Sequence, residues 1–158
     1  MKRKISLETK LIISNLFYAL PIIILLYLMF QSSTKDILFA EKEKIGDEVQ
    51  RPLMKMLSLV ATIDDGAIAE DKKKQMKEQM DKYRASESKY TDDLLFGSEE
   101  LKKRKRESIT FSEMDKNWQN LLTQNNQAKR DELMAQIRLA ITHIGDTSNL
   151  ILDPDLDS

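Results

Sequence analysis

An all-α protein, with one N-terminal transmembrane helix followed by an antiparallel up-down bundle of about four helices, is what this sequence predicts. Three observations carry that expectation. Residues Leu11 to Phe30 form an apolar run with no charged side chain, behind Lys2, Arg3, Lys4 and Lys10. Beyond the run, apolar residues recur at helical spacings of three and four. Glycine and proline are scarce, at 4 and 3 in 158 residues, while 32% of the residues are charged. That mix favours long amphipathic helices over strands and loops.

The apolar run comes first. At the helical rise, twenty residues span about 30 Å, the thickness of a bilayer's hydrocarbon core. A cleaved signal peptide usually has a shorter apolar stretch, roughly 7–15 residues, ending at a small-residue site. Here bulky Phe30 precedes Gln31-Ser32-Ser33, so a retained anchor is expected. Pro21 sits mid-span, where membrane helices tolerate it. The basic lead marks the cytoplasmic end. Residues 1–10 are then cytoplasmic, 11–30 cross the membrane, and 31–158 lie outside in a single-pass arrangement.

The first outer helix is expected from about Asp36 to Ile63, where the membrane helix can run on into it. Its stripe is Ile45, Val49, Leu53, Met56, Val60 and Ile63, and Pro52 should kink it. Asp64-Asp65-Gly66 reads as a turn. A second helix is expected from about Ala69 to Leu95, with Met76, Met80, Tyr83, Tyr90 and Leu94 facing inward. Gly97-Ser98 breaks it, and Ser98 can cap a third helix reaching about Gln124. That helix carries Phe111, Met114, Trp118 and Leu121. Asn125-Asn126 is the next break. A fourth helix, from about Ala128 to Leu152, carries Leu133, Ile137, Ala140, Ile144 and Ile151, and Asp153-Pro154 stops it.

Charge and composition restrict the function. Net charge is −1 over the chain. Residues 1–10 hold +3 of it, which leaves −4 for the rest and gives no electrostatic case for nucleic acid. There is no cysteine and one histidine. Disulfides, zinc-thiolate sites and thiol nucleophiles are therefore excluded. No H-E-x-x-H, G-x-S-x-G, P-loop or G-x-G-x-x-G occurs, so neither an enzyme nor a cofactor is expected. Asp153, Asp155 and Asp157 alternate like the start of a calcium loop. They lack its glycine and distal glutamate, and a helix stop explains them better.

Two sets of residues remain as candidate sites. Polar residues break otherwise apolar helix faces: Arg51 before Pro52, and His143, Asp146, Thr147 and Asn149 on the fourth helix. In an antiparallel pairing His143 lies roughly level with Asp47. Polar groups between helices need partners or a ligand. An interhelical hydrogen-bond network is the simpler explanation. The functional one is a small-ligand pocket using Arg51, His143, Asp146 and Asn149. The second set is the run Lys102-Lys103-Arg104-Lys105-Arg106. A solvated helix face accounts for it, and contact with anionic headgroups is the functional alternative.

Two stretches carry a resemblance. One is Leu38-Phe39-Ala40-Glu41-Lys42-Glu43-Lys44-Ile45-Gly46, followed by Arg51-Pro52-Leu53. The other runs from His143-Ile144-Gly145-Asp146-Thr147-Ser148-Asn149 through Leu152-Asp153-Pro154 to Ser158. With the anchor, they resemble the N-terminal sensory half of bacterial methyl-accepting chemotaxis proteins and of related sensor histidine kinases. The resemblance implies an all-helical extracytoplasmic domain anchored in the bacterial inner membrane. It implies a dimer that detects small molecules directly or through a periplasmic binding protein. It also implies a second span and a long cytoplasmic signalling coiled coil beyond these residues, so the chain is expected to be the receiving part of a larger plan. The competing expectation is a membrane-anchored helical protein that oligomerises and binds no ligand.

Overall fold

A computed structural model describes residues 7–63, 67–124 and 126–148. Five α-helices and one short 3-10 helix account for the regular structure, and no strand occurs among the described residues. The helices are α1 (Leu7–Ala61), α2 (Glu70–Lys89), α3 (Ser98–Lys103), α4 (Phe111–Thr123) and α5 (Gln127–Ser148). The 3-10 helix, Glu107–Ile109, precedes α4. The chain divides into two compact units, Met1–Ala40 and Glu41–Ser158.

In the first unit the large apolar side chains of the α1 run stay uncovered. Their exposure ranges from 46% at Ile13 to 78% at Phe17. The most apolar window of α1 has a mean hydropathy of 2.3 and none of it is buried. A soluble core helix would hide these residues. This one is long and apolar enough to cross a membrane. Helical backbone continues through Pro21 and Pro52 to Ala61.

In the second unit the expected stripes meet in one core. Val49, Leu53, Met56 and Val60 come from α1, and Met76, Met80 and Tyr83 from α2. Met114, Trp118 and Leu121 come from α4, and Leu133, Ile137, Ala140 and Ile144 from α5. Each set keeps spacings of three and four, so its members share one face of their helix. The contacts between α1 and α2 pair them antiparallel. Near one end of the pair, Tyr90 donates its hydroxyl hydrogen to Glu48 at 2.8 Å. Near the other, Lys72 donates to the Thr62 carbonyl. Arg130, at the start of α5, donates to the Ile63 carbonyl. These two cations satisfy acceptors just past the end of α1, where no helical donor remains.

Two parts of the helix plan differ from the sequence expectation. The second helix ends at Lys89, not Leu95. The expected third helix, from Ser98 to Gln124, is three pieces: α3, the 3-10 helix and α4. Left-handed turns mark both regions: one ends α3, and the other closes the turn 91–95 that follows α2. Leu95 and Lys105 have left-handed backbone, with φ of 54° and 55°. At the first, Phe96 N–H bonds back to the Thr91 carbonyl at 2.8 Å and Leu95 N–H to that of Asp92 at 3.4 Å. At the second, Arg106 N–H reaches the Leu101 carbonyl at 2.8 Å and Lys105 N–H that of Lys102 at 3.1 Å. Both have the Schellman bonding pattern and redirect the chain, the second directly at the end of α3. The first turn lets Leu94 and Phe96 both enter the core.

Capping also differs. Gly97, not Ser98, is the N-cap of α3, and no side chain bonds there. Thr110 caps α4 by accepting from Glu113 N–H at 3.4 Å, within the Thr-x-x-Glu pattern of a capping box. Asn126 accepts from Lys129 N–H at 2.9 Å at the start of α5. The expected turn Asp64-Asp65-Gly66 and the helix stop at Asp153-Pro154 lie outside the described residues.

Candidate functional site

His143 has no exposed surface and sits on α5 against the turn that follows α2. Its Nε2 lies 2.8 Å from the Leu94 carbonyl oxygen. Its Nδ1 lies 3.2 Å from Nη1 of Arg106. The Phe96 ring covers it at 5.0 Å between centroids. Arg106 also donates from Nη2 to Asp146 at 2.8 Å, forming an ion pair. The Arg106 side chain is only 18% exposed. Three parts of the chain thus converge: the turn at 94–96, the link after α3, and the last turns of α5. Burial pushes the imidazole pKa below its ordinary value. The Leu94 bond opposes that shift, Arg106 and Arg104 add to it, and Asp146 opposes it.

The candidate ligand residues therefore separate. His143 and Asp146 share a network through Arg106. Arg51 does not join them. Its side chain is 74% exposed and pairs with Asp47 at 2.6 Å along the same helix, so neither Arg51 nor Asp47 meets His143 in the contacts formed. Asn149 lies outside the described residues. The basic run separates too. Lys102, Lys103, Arg104 and Lys105 are exposed, while Arg106 turns inward. In the sequence Arg106 reads with its neighbours, because nothing in the run marks the left-handed turn at Lys105.

A groove of about 540 Å³ runs between α2 and α4. Buried Met80 and Trp118 line it with Phe111 and Leu122, among charged side chains that include Lys73, Lys77, Asp81, Arg84 and Asp115. Arg84 stacks over the Phe111 ring at 5.2 Å. Beside it, Glu87 accepts from Phe111 N–H at 2.8 Å, at the amino end of α4. Burial holds the Glu87 carboxyl above its usual range, and the Phe111 bond partly offsets this. The volume and the mixture of apolar wall and polar groups suit a small organic ligand. The signal was present in the helical spacing of Lys73, Lys77 and Arg84, but these positions read equally well as a solvated face.

No group of three or more acidic or histidine side chains among the described residues could hold a metal ion. Comparison with family models, with curated proteins and with solved structures found no match to this chain. The likeness to chemoreceptor sensory regions accordingly rests on the two sequence stretches and the anchor alone.

Proposed function

We propose that this chain is the membrane-anchored sensory module of a chemotaxis-type receptor, with its N-terminus cytoplasmic and its helical body outside the inner membrane. The observation that carries this reading is the dual character of α1. Its apolar run is bare, and its later turns supply Val49, Leu53, Met56 and Val60 to the core. One helix thus contributes both a candidate span and a wall of a folded body, as a transmembrane receiver requires. The body senses a small molecule or a binding protein, functions as a dimer, and performs no chemistry. The groove between α2 and α4 is the place where a small ligand would sit. The exposed cations Lys102 to Lys105 serve as contacts for anionic lipid.

Trp118, the chain's one tryptophan, lines that groove and reports on it. The test uses the full chain in lipid nanodiscs against a panel of small metabolites and periplasmic extract. A ligand at 100 times its dissociation constant stabilises by about 2.7 kcal/mol and alters Trp118 fluorescence. Lys77→Glu with Asp115→Asn weakens both responses. A panel and extract that move neither signal would overturn the proposal in favour of a helical anchor that oligomerises without ligand.

A further inference from the structure

His143 is the chain's one histidine, and its surroundings fix its proton. The Leu94 carbonyl can only accept, so Nε2 carries the hydrogen across their 2.8 Å contact. The Arg106 guanidinium can only donate, so Nδ1 presents its lone pair to Nη1 at 3.2 Å. The ring is therefore the neutral Nε2–H tautomer. A second proton has one place to go, Nδ1, and there it would set N–H against N–H beside a guanidinium.

We propose that His143 is a proton-operated latch: protonation at Nδ1 expels Arg106 and loosens the link 104–109 that leads into α4. The charged groups facing the ring are few. Arg104 and Arg106 come from the link and Asp146 from α5, while the turn after α2 offers the Leu94 carbonyl and the Phe96 ring. Asp146 lies three residues along the same helix, within reach of the ring's side of α5. It now accepts from Arg106. Once Nδ1 carries a hydrogen, Asp146 can accept from the imidazolium instead, so the guanidinium loses both partners in one exchange. The Leu94 bond survives, because Nε2 keeps its hydrogen in both states.

The consequence is local because of where Arg106 stands. It follows the left-handed residue Lys105 and precedes the 3-10 helix whose Ile109 is buried and holds Tyr83. Freed, it no longer ties that link to α5, while the α5 core residues Leu133, Ile137 and Ala140 keep their own packing. Burial and the two arginines make the ring hard to protonate, so the latch opens only in acidic surroundings. The latch belongs to the bundle itself; only its exposure to external pH rests on the outward placement proposed above.

A single histidine makes the test direct. In the full chain in nanodiscs, nitrogen-15 imidazole spectra should show the Nε2–H tautomer at high pH. The ring should titrate below the ordinary histidine value of about 6.5. Across that titration the amide protection factors of residues 104–109 should fall about tenfold, while those of 133–140 hold. Arg106→Met should raise the ring's midpoint and remove the pH dependence at 104–109. An Nδ1–H tautomer, a midpoint at or above the ordinary value, or protection at 104–109 that stays constant would overturn the latch. So would protection that falls in step with α5, because that is general unfolding. If Arg106→Met does not fold, the titration and exchange of the unsubstituted chain decide alone.

Discussion

Tyr83, in the middle of α2, donates its hydroxyl hydrogen to the Ile109 carbonyl at 2.7 Å, and both residues are fully buried. The bond ties α2 to the 3-10 helix ahead of α4. Burial, and the nearby Glu87 carboxylate, push the phenol pKa well above its usual value, so the hydroxyl remains a donor. Tyr83→Phe leaves a buried carbonyl without its partner. It should cost about 1–3 kcal/mol, read as a lower midpoint of denaturant unfolding with an unchanged slope. No loss would mean that the Ile109 carbonyl finds water.

Glu87 sets a pH dependence of the opposite sense to the histidine. Its folded pKa is raised, chiefly by burial. The folded state therefore binds more protons than the unfolded one between the two values, and stability falls as pH rises through the folded pKa. Glu87→Gln keeps an acceptor for Phe111 N–H and removes the charge. At neutral pH the variant should be at least as stable as the parent, and its advantage should vanish below about pH 4.3, the unperturbed glutamate value. Thermal melts at several pH values would show this. A variant clearly weaker at neutral pH would mean that the carboxylate's attraction to the α4 terminus outweighs its burial.

The core stripes were legible because burial enforces the period. Val49 to Val60 and Leu133 to Ile144 could not be moved one place without facing water. The breaks at Leu95 and Lys105 were not legible. The usual mark of a left-handed helix end is glycine, and here leucine and lysine hold those positions. Gly97 draws the expected end of the second helix past its place at Lys89. The site followed the same pattern. His143 and Asp146 stood out on an apolar helix, but Arg106 did not, since its inward turn depends on that unmarked residue before it. Arg51 misled because its position beside Pro52 suggested burial, whereas Asp47 one turn back holds it at the surface.

Lys105 gives that lesson a test. It is exposed, and a left-handed conformation costs an L-residue roughly 1–2 kcal/mol. Lys105→Gly should stabilise the fold by up to about 1 kcal/mol once glycine's extra chain entropy is counted. Equilibrium unfolding measures it, and destabilisation would show that the side chain itself holds the turn.

The exposed cations should respond to lipid charge. In nanodiscs of anionic lipid, amides 98–105 should exchange more slowly than in zwitterionic lipid. Changing Lys102, Lys103, Arg104 and Lys105 together to Gln should abolish the difference, at about 1 kcal/mol for each cation close to the surface. Raised salt should mimic the substitutions. Equal exchange in both lipids would leave the run a solvated face.

Everything sensory depends on the body lying across the membrane from the N-terminus. The natural chain has no cysteine, so single substitutions report position without background. In intact bacterial cells, a membrane-impermeant maleimide should label Lys77→Cys and should reach Ser6→Cys only after the membrane is opened. Labelling of Ser6→Cys but not Lys77→Cys, or equal labelling of both before permeabilisation, would contradict the outward placement.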